Sequence, residues 1–106
     1  MIKILITGSY TAEGAKALIK AGGSSRKAAV EKMLEGLGGK LEAFYFALGH
    51  SDLYVIAEVP DAAAIAAVTL TVNASAMVKI STVVLMTPEE VDAASKKSVA
   101  YRPPGG

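Results

Sequence analysis

Cysteine is absent from the 106 residues, which excludes disulfides, thiolate metal sites and cysteine nucleophiles. Histidine occurs once, at position 50. Zinc or non-haem iron wants more nitrogen ligands or a spaced set of carboxylates, and neither occurs, so no metal site is predicted. Neither sign of charge is in excess: 11 Lys and Arg stand against 10 Asp and Glu, a formal net charge of +1. Without a basic stripe to neutralise phosphates, nucleic acid is not an expected partner. The opening "MIKILITGSY" lacks the charged, apolar and cleavage regions of a signal peptide and reads as a strand, so a cytoplasmic location is expected.

Aromatic residues are also few, at 6%, although 52% of the chain is hydrophobic. Ala, Val, Ile and Leu carry that excess. A chain of this length is one domain with a small core. So apolar a composition predicts that some surface is hidden elsewhere, and self-association is the simplest means.

Ile2 to Tyr10 is rich in β-branched residues, as a strand requires. Thr11 is placed to cap a helix with Glu13 in its first turn. Gly22 and Gly23 interrupt that helix, and Ser24 or Ser25 is placed to cap the next. Val30, Met33, Leu34 and Leu37 then recur at i, i+3, i+4 and i+7, and "LGG" ends the helix. Lys40–Leu48 and Asp52–Val59 read as antiparallel strands joined at "GHS". Asp61 is placed to cap a third helix, Met77–Met86 reads as the last strand, and "TPEE" opens a final helix.

The order is β-α-β-β-α-β, with the first connection split in two and one helix appended. Right-handed crossovers make this an α+β, ferredoxin-like fold: a four-stranded antiparallel sheet with helices on one face. The domain is expected over residues 1–98, with 99–106 a flexible tail.

Strict alternation along the strands separates two sheet faces. One, with Ile4, Ile6, Leu41, Tyr45, Leu53, Val55, Val78 and Ile80, is apolar and is expected to meet the helices. The other, with Lys3, Leu5, Glu42, Phe44, Phe46, Tyr54, Ile56, Glu58, Lys79 and Val83, is mixed. Its aromatic content suits packing against a second copy in a homodimer or higher even oligomer. Ala62 through Val78 carries no charge, whereas a helix covering a sheet ordinarily shows charges to solvent. Either the 62–76 helix is simply a neutral alanine-rich one, or it too meets a neighbouring subunit. A membrane span is not expected here: the stretch is at the short limit, is dotted with Thr, Asn and Ser, and lacks flanking anchors.

The stretch "GHSDLYVIAEVPD" sets His50 two residues before Asp52. It reads either as a base with its orienter or as a hairpin turn whose Asp52 bonds backbone amides. Tyr10 is a further candidate for handling a proton. Glu58 and Lys79 share the mixed face and are read as a structural pair or, alternatively, as an acid–base pair. Tyr45, Tyr54, Lys3 and Glu42 complete the polar candidates of the sheet. "GSYTAEG" and "GGSS" precede helices but fit neither dinucleotide-binding nor Walker spacing, so they read as loops.

"YTAEGAK", Arg26, "LGGKLEAFYFALGHSD" and "EVPD", in this order, resemble the GYD-domain family, named for a glycine–tyrosine–aspartate signature at this hairpin. Gly49 and Asp52 fit that signature, whereas Ser51 stands where the tyrosine is expected. The resemblance implies a ferredoxin-like fold of the dimeric α+β barrel group, in which two sheets pack face to face. That group also holds haem proteins, cofactor-independent monooxygenases, lactone isomerases and ligand-sensing modules, so it implies no single chemistry.

The functional expectation is a small homo-oligomeric assembly or ligand-binding module without a cofactor. The alternative is an enzyme of the cofactor-independent monooxygenase or isomerase type acting on a small apolar substrate. Its pocket would draw on Phe44, Phe46 and Tyr54, with Glu58 and Lys79 nearby and with His50, Asp52 or Tyr10 as catalytic candidates. Haem ligated by His50 is a third reading.

Overall fold

Alternating β-branched residues put Ile2–Tyr10 into an extended strand, β1, at the centre of everything that follows. The computed structural model describes residues 1–106. Behind β1 come helices α1 (Ala12–Ala21) and α2 (Gly23–Gly36), strands β2 (Lys40–Phe46) and β3 (Leu53–Val59), helix α3 (Ala62–Ala74), strand β4 (Val78–Val84) and helix α4 (Pro88–Ser95). The four strands form one sheet in the order β2-β3-β1-β4, with every pairing antiparallel. This is the ferredoxin-like α+β arrangement expected from the element order.

Helix ends follow local chemistry. Thr11 Oγ1 accepts from the Gly14 N–H at 3.1 Å, and Asp61 Oδ1 accepts from the Ala64 N–H at 2.8 Å. Thr87 and Glu90 close a reciprocal capping box at the start of α4. One expectation fails: neither Ser24 nor Ser25 caps α2. Gly22, at φ 87°, ends α1 and stands as the N-cap of α2, with no side-chain cap bond. Its left-handed backbone lets α2 begin two or three residues earlier than a cap at Ser24 or Ser25 would allow.

The core lies between one sheet face and the helices. Ile4, Val55, Val59 and Leu34 are its largest fully buried side chains. Val30 and Leu34 tie α2 to the sheet, and truncating a residue such as Leu34 to alanine costs roughly 2–5 kcal/mol. Helix α3 is held differently. Asn73 grips the edge strand β4 at both polar groups of Ile80, accepting from its N–H at 2.7 Å and donating to its carbonyl at 3.3 Å. The Thr69 and Thr82 hydroxyls meet at 2.9 Å. Two polar residues of the uncharged helix thus serve its own sheet, while Leu70 is exposed at 71%.

Strict alternation breaks at one point. The β2–β3 register slips between Leu41 and Ala43, so Glu42 is an extra, bulged residue. Beyond it every side chain changes face. Phe44 stands opposite Val55 and Phe46 opposite Leu53, on the helix side, whereas Tyr45 stands opposite Tyr54 on the open side. The face assignment from alternation is therefore reversed for Phe44, Phe46 and Tyr45, because a bulge shifts the two-residue period by one. The two phenylalanine rings meet edge to face at 5.2 Å, and Phe46 fits beneath Gly23, where an added Cβ would lie 2.8 Å from its ring.

From Met86 to the C-terminus every residue is exposed, and the longest dimension of the chain is 56 Å. The radius of gyration, 16.9 Å, exceeds the ~13 Å of a closely packed chain of this size. Helix α4 and the segment after it stand off the body, with Val91, Val99 and Tyr101 uncovered.

Candidate functional site

Two regions gather chemistry: the open sheet face and a cavity under the helices. Across the open face, antiparallel register aligns Lys40, Glu58 and Lys3 in one row and Ala43, Ile56, Leu5 and Val83 in the next. A third row holds Tyr45, Tyr54, Thr7 and Ser81. Lys40 Nζ pairs with Glu58 at 3.1 Å, and Lys3 Nζ with Glu42 at 3.1 Å. Both pairs have their usual electrostatic signature. The bond from Lys40 lowers the Glu58 carboxyl below the ordinary glutamate range, and the bond to Glu42 raises the Lys3 ammonium.

The expected pair of Glu58 with Lys79 does not form. Both residues belong to the open face, but Glu58 lies opposite Lys3 and Lys79 opposite Ser9. Six residues of strand separate these positions, roughly 20 Å at the strand rise of about 3.3 Å per residue.

The His50–Asp52 corner likewise separates. His50 is exposed in the loop between β2 and β3. Asp52 turns to β1: its Oδ2 accepts the Tyr10 backbone N–H at 2.9 Å, and its own N–H donates to the Gly8 carbonyl at 2.8 Å. The Asp52 carbonyl also accepts from the Ala47 N–H at 2.8 Å. Asp52 is a clasp between hairpin and central strand, which is the turn reading extended to a partner 42 residues away. Ser51, at the place of the signature tyrosine, is buried.

The cavity, of about 370 Å³, lies among α1, the first turns of α2, the end of α3 and the start of β4. That volume falls in the lower part of the range of small-molecule sites. Its walls include Ala17, Leu18, Val72, Met77 and Val78. Two polar groups stand out at the floor. The Tyr10 hydroxyl is buried and has no hydrogen-bond partner. Burial raises its pKa, and the neighbouring Arg26 guanidinium opposes that shift through its charge and through an approach to the hydroxyl too loose to satisfy it. Arg26 is half-buried and belongs to none of the ion pairs, which are Lys3–Glu42, Lys16–Glu13 and Lys40–Glu58. Tyr10 and Arg26 also border a smaller void of about 30 Å³ that continues into the core beside Val30 and Val55.

Local structure explains why these two meet. Tyr10 ends the even-numbered, helix-facing side of β1, after Ile4, Ile6 and the buried Gly8. Arg26 precedes Val30 by four residues and so extends the Val30–Met33–Leu34–Leu37 stripe backwards by one helical turn. A cation on an apolar stripe is the signal that identifies Arg26, which was singled out in the sequence only for the family resemblance. Of the candidates named from sequence, Tyr10 alone lines the cavity. Phe44 packs against the core, Phe46 lies beside Gly23 with 42% of its surface exposed, Tyr54, Glu58 and Lys79 lie on the open face, and His50 is in solvent.

No group of three or more His, Cys, Asp or Glu residues gathers in the structure, and no helix is long and apolar enough to cross a membrane. Neither the curated proteins nor the solved structures contain a match to the chain. A family model for the GYD domain matches residues 5–95, a span running from β1 through α4 that takes in the sheet, the Asp52 clasp and the cavity. By that match the chain belongs to the GYD domain family.

Proposed function

We propose that the protein is a small-ligand-binding module that works as a homo-oligomer of even subunit number. The observation that carries the reading is the cavity: about 370 Å³ of mostly apolar space lined by a partnerless hydroxyl and by a guanidinium that belongs to no ion pair. Few convergent polar groups in an apolar cleft are the general anatomy of a ligand site. The residues that line it include no carboxylate, no histidine and no lysine. A raised phenol is a poor base near neutral pH, so the lining suits holding a molecule better than abstracting a proton from it.

Self-association is supported by the open sheet face. Tyr45, Tyr54 and Val83 are exposed there at 70%, 39% and 50%, in rows that continue through Leu5 and Ile56. A second copy related by a two-fold axis across the strands would lay its Lys79 end over the end of the first where Glu42 and Glu58 pair with Lys3 and Lys40. The uncovered helix α4 gives the second copy a further surface to meet.

Native mass spectrometry tests both parts at once. The expected result is an even oligomer, with added mass on the subunits when a ligand is retained. A monomer at micromolar concentration would overturn the oligomer, and a cavity to which no small molecule can be titrated would overturn the binding reading.

A further inference from the structure

The ligand class can be taken further, an inference that rests on the binding reading above. We infer that the cavity among α1, α2 and α3 takes a small organic acid, its carboxylate received by Arg26 and the Tyr10 hydroxyl and its apolar body by Leu18, Val72 and Met77. Arg26 carries a permanent charge and a planar fork of donors suited to a carboxylate. No carboxylate answers it: it belongs to no ion pair, its neighbours in the cavity are apolar or neutral, and its approach to the Tyr10 hydroxyl falls short of a well-formed hydrogen bond. A hydroxyl buried without a partner is a costly arrangement, relieved when an acceptor enters.

Both groups also border the inner void beside Val30 and Val55, so a molecule held there meets charge on its inner side and hydrocarbon along the rest. The volume limits that body to a short aliphatic chain or a single ring. Dianions fit less well, because the lining has one cation for them. Gly14 and Gly22 add no side chains to the wall.

Benzoate and hexanoate, each against its matched alcohol, benzyl alcohol and 1-hexanol, form the test. Amide shifts of the 15N-labelled protein are followed during titration. Saturable shifts are expected at Gly14, Gly22, Val72 and Met77. Each acid should bind at least about tenfold tighter than its alcohol, the ratio that one charge-assisted hydrogen bond carries. Arg26→Gln should abolish that preference while leaving alcohol binding in place, Arg26→Lys should keep part of it, and Tyr10→Phe should weaken acid binding several-fold. Spectra of the variants away from the cavity report that they remain folded. Equal binding of acid and alcohol, or an acid preference that survives Arg26→Gln, overturns the carboxylate assignment and leaves the binding module standing. Failure of all four probes to shift the cavity residues overturns both. Shifts confined to the Tyr45–Tyr54 face overturn the assignment of the site.

Discussion

Asp52 Oδ2 accepts the backbone N–H of Tyr10 at 2.9 Å, across 42 residues of chain. The bond fixes the end of β1, and with it the residue whose hydroxyl forms the floor of the cavity. Asp52→Ala leaves that amide without its acceptor and is expected to cost about 1–3 kcal/mol. His50→Ala, two residues away but exposed, is expected to stay within about 0.5 kcal/mol. Urea denaturation of the two variants separates a clasp from a catalytic corner, since a working His50–Asp52 pair would require the two changes to act on a common property.

Gly14 lies in α1 against the Met77 carbonyl, and a Cβ added there would overlap that oxygen. The carbonyl is committed, accepting from the Thr11 N–H at 3.0 Å and from the Thr11 hydroxyl at 3.1 Å. Helix propensity alone favours Gly14→Ala by up to about 1 kcal/mol. The contact reverses the sign: a loss of roughly 1–3 kcal/mol is expected from overpacking. A fall in Tm relative to the parent chain checks it.

Tyr10 gives the protein an alkaline limit. Burial raises its folded pKa, so the folded state keeps a proton that the unfolded chain gives up near the ordinary phenol value of about 10. The contribution is fully present below that value and is lost as pH rises through the folded one. Tyrosine absorbance titrated with base should show one late-ionising phenol among the four tyrosines. Tyr10→Phe should remove that step and flatten the alkaline fall in stability.

Tyr45→Lys tests the open face without touching the core, because Tyr45 is 70% exposed. Sedimentation velocity is expected to show a shift towards monomer, with the folded spectrum retained. Phe46→Lys serves as the contrast. Its ring packs under Gly23 on the opposite side of the sheet, so it should destabilise the fold rather than dissociate subunits.

Successive strand residues face opposite sides, and the bulge at Glu42 decides which of those two neighbours turns towards the helices. A register slip of one residue is cheap locally and leaves no mark in a hydrophobic pattern made of Ala, Phe and Tyr, all acceptable on either face. Alternation therefore predicts the opposite placement for Phe44, Tyr45 and Phe46, although it succeeds along β1 and β3, which are continuous. The ion pairs follow the same rule. Which lysine meets Glu58 depends on strand order and register, and these bring Lys40 to it and carry Lys79 to the far end.

Local chemistry accounts for the order of strands and helices, the caps at Thr11, Asp61 and Thr87, and the apolar stripe of α2. Each depends on residues within a few positions of one another, so composition and spacing suffice. Tertiary structure alone decided the cavity, the Asp52 clasp and the meeting of Tyr10 with Arg26. Those contacts join segments 16 or more residues apart, and their existence depends on how the helices close over the sheet. An arginine on an apolar stripe and a tyrosine on the core side of a strand are readable separately. That one stands unpaired beside the other's partnerless hydroxyl follows only from packing, because neither group has a neighbour in sequence to satisfy it.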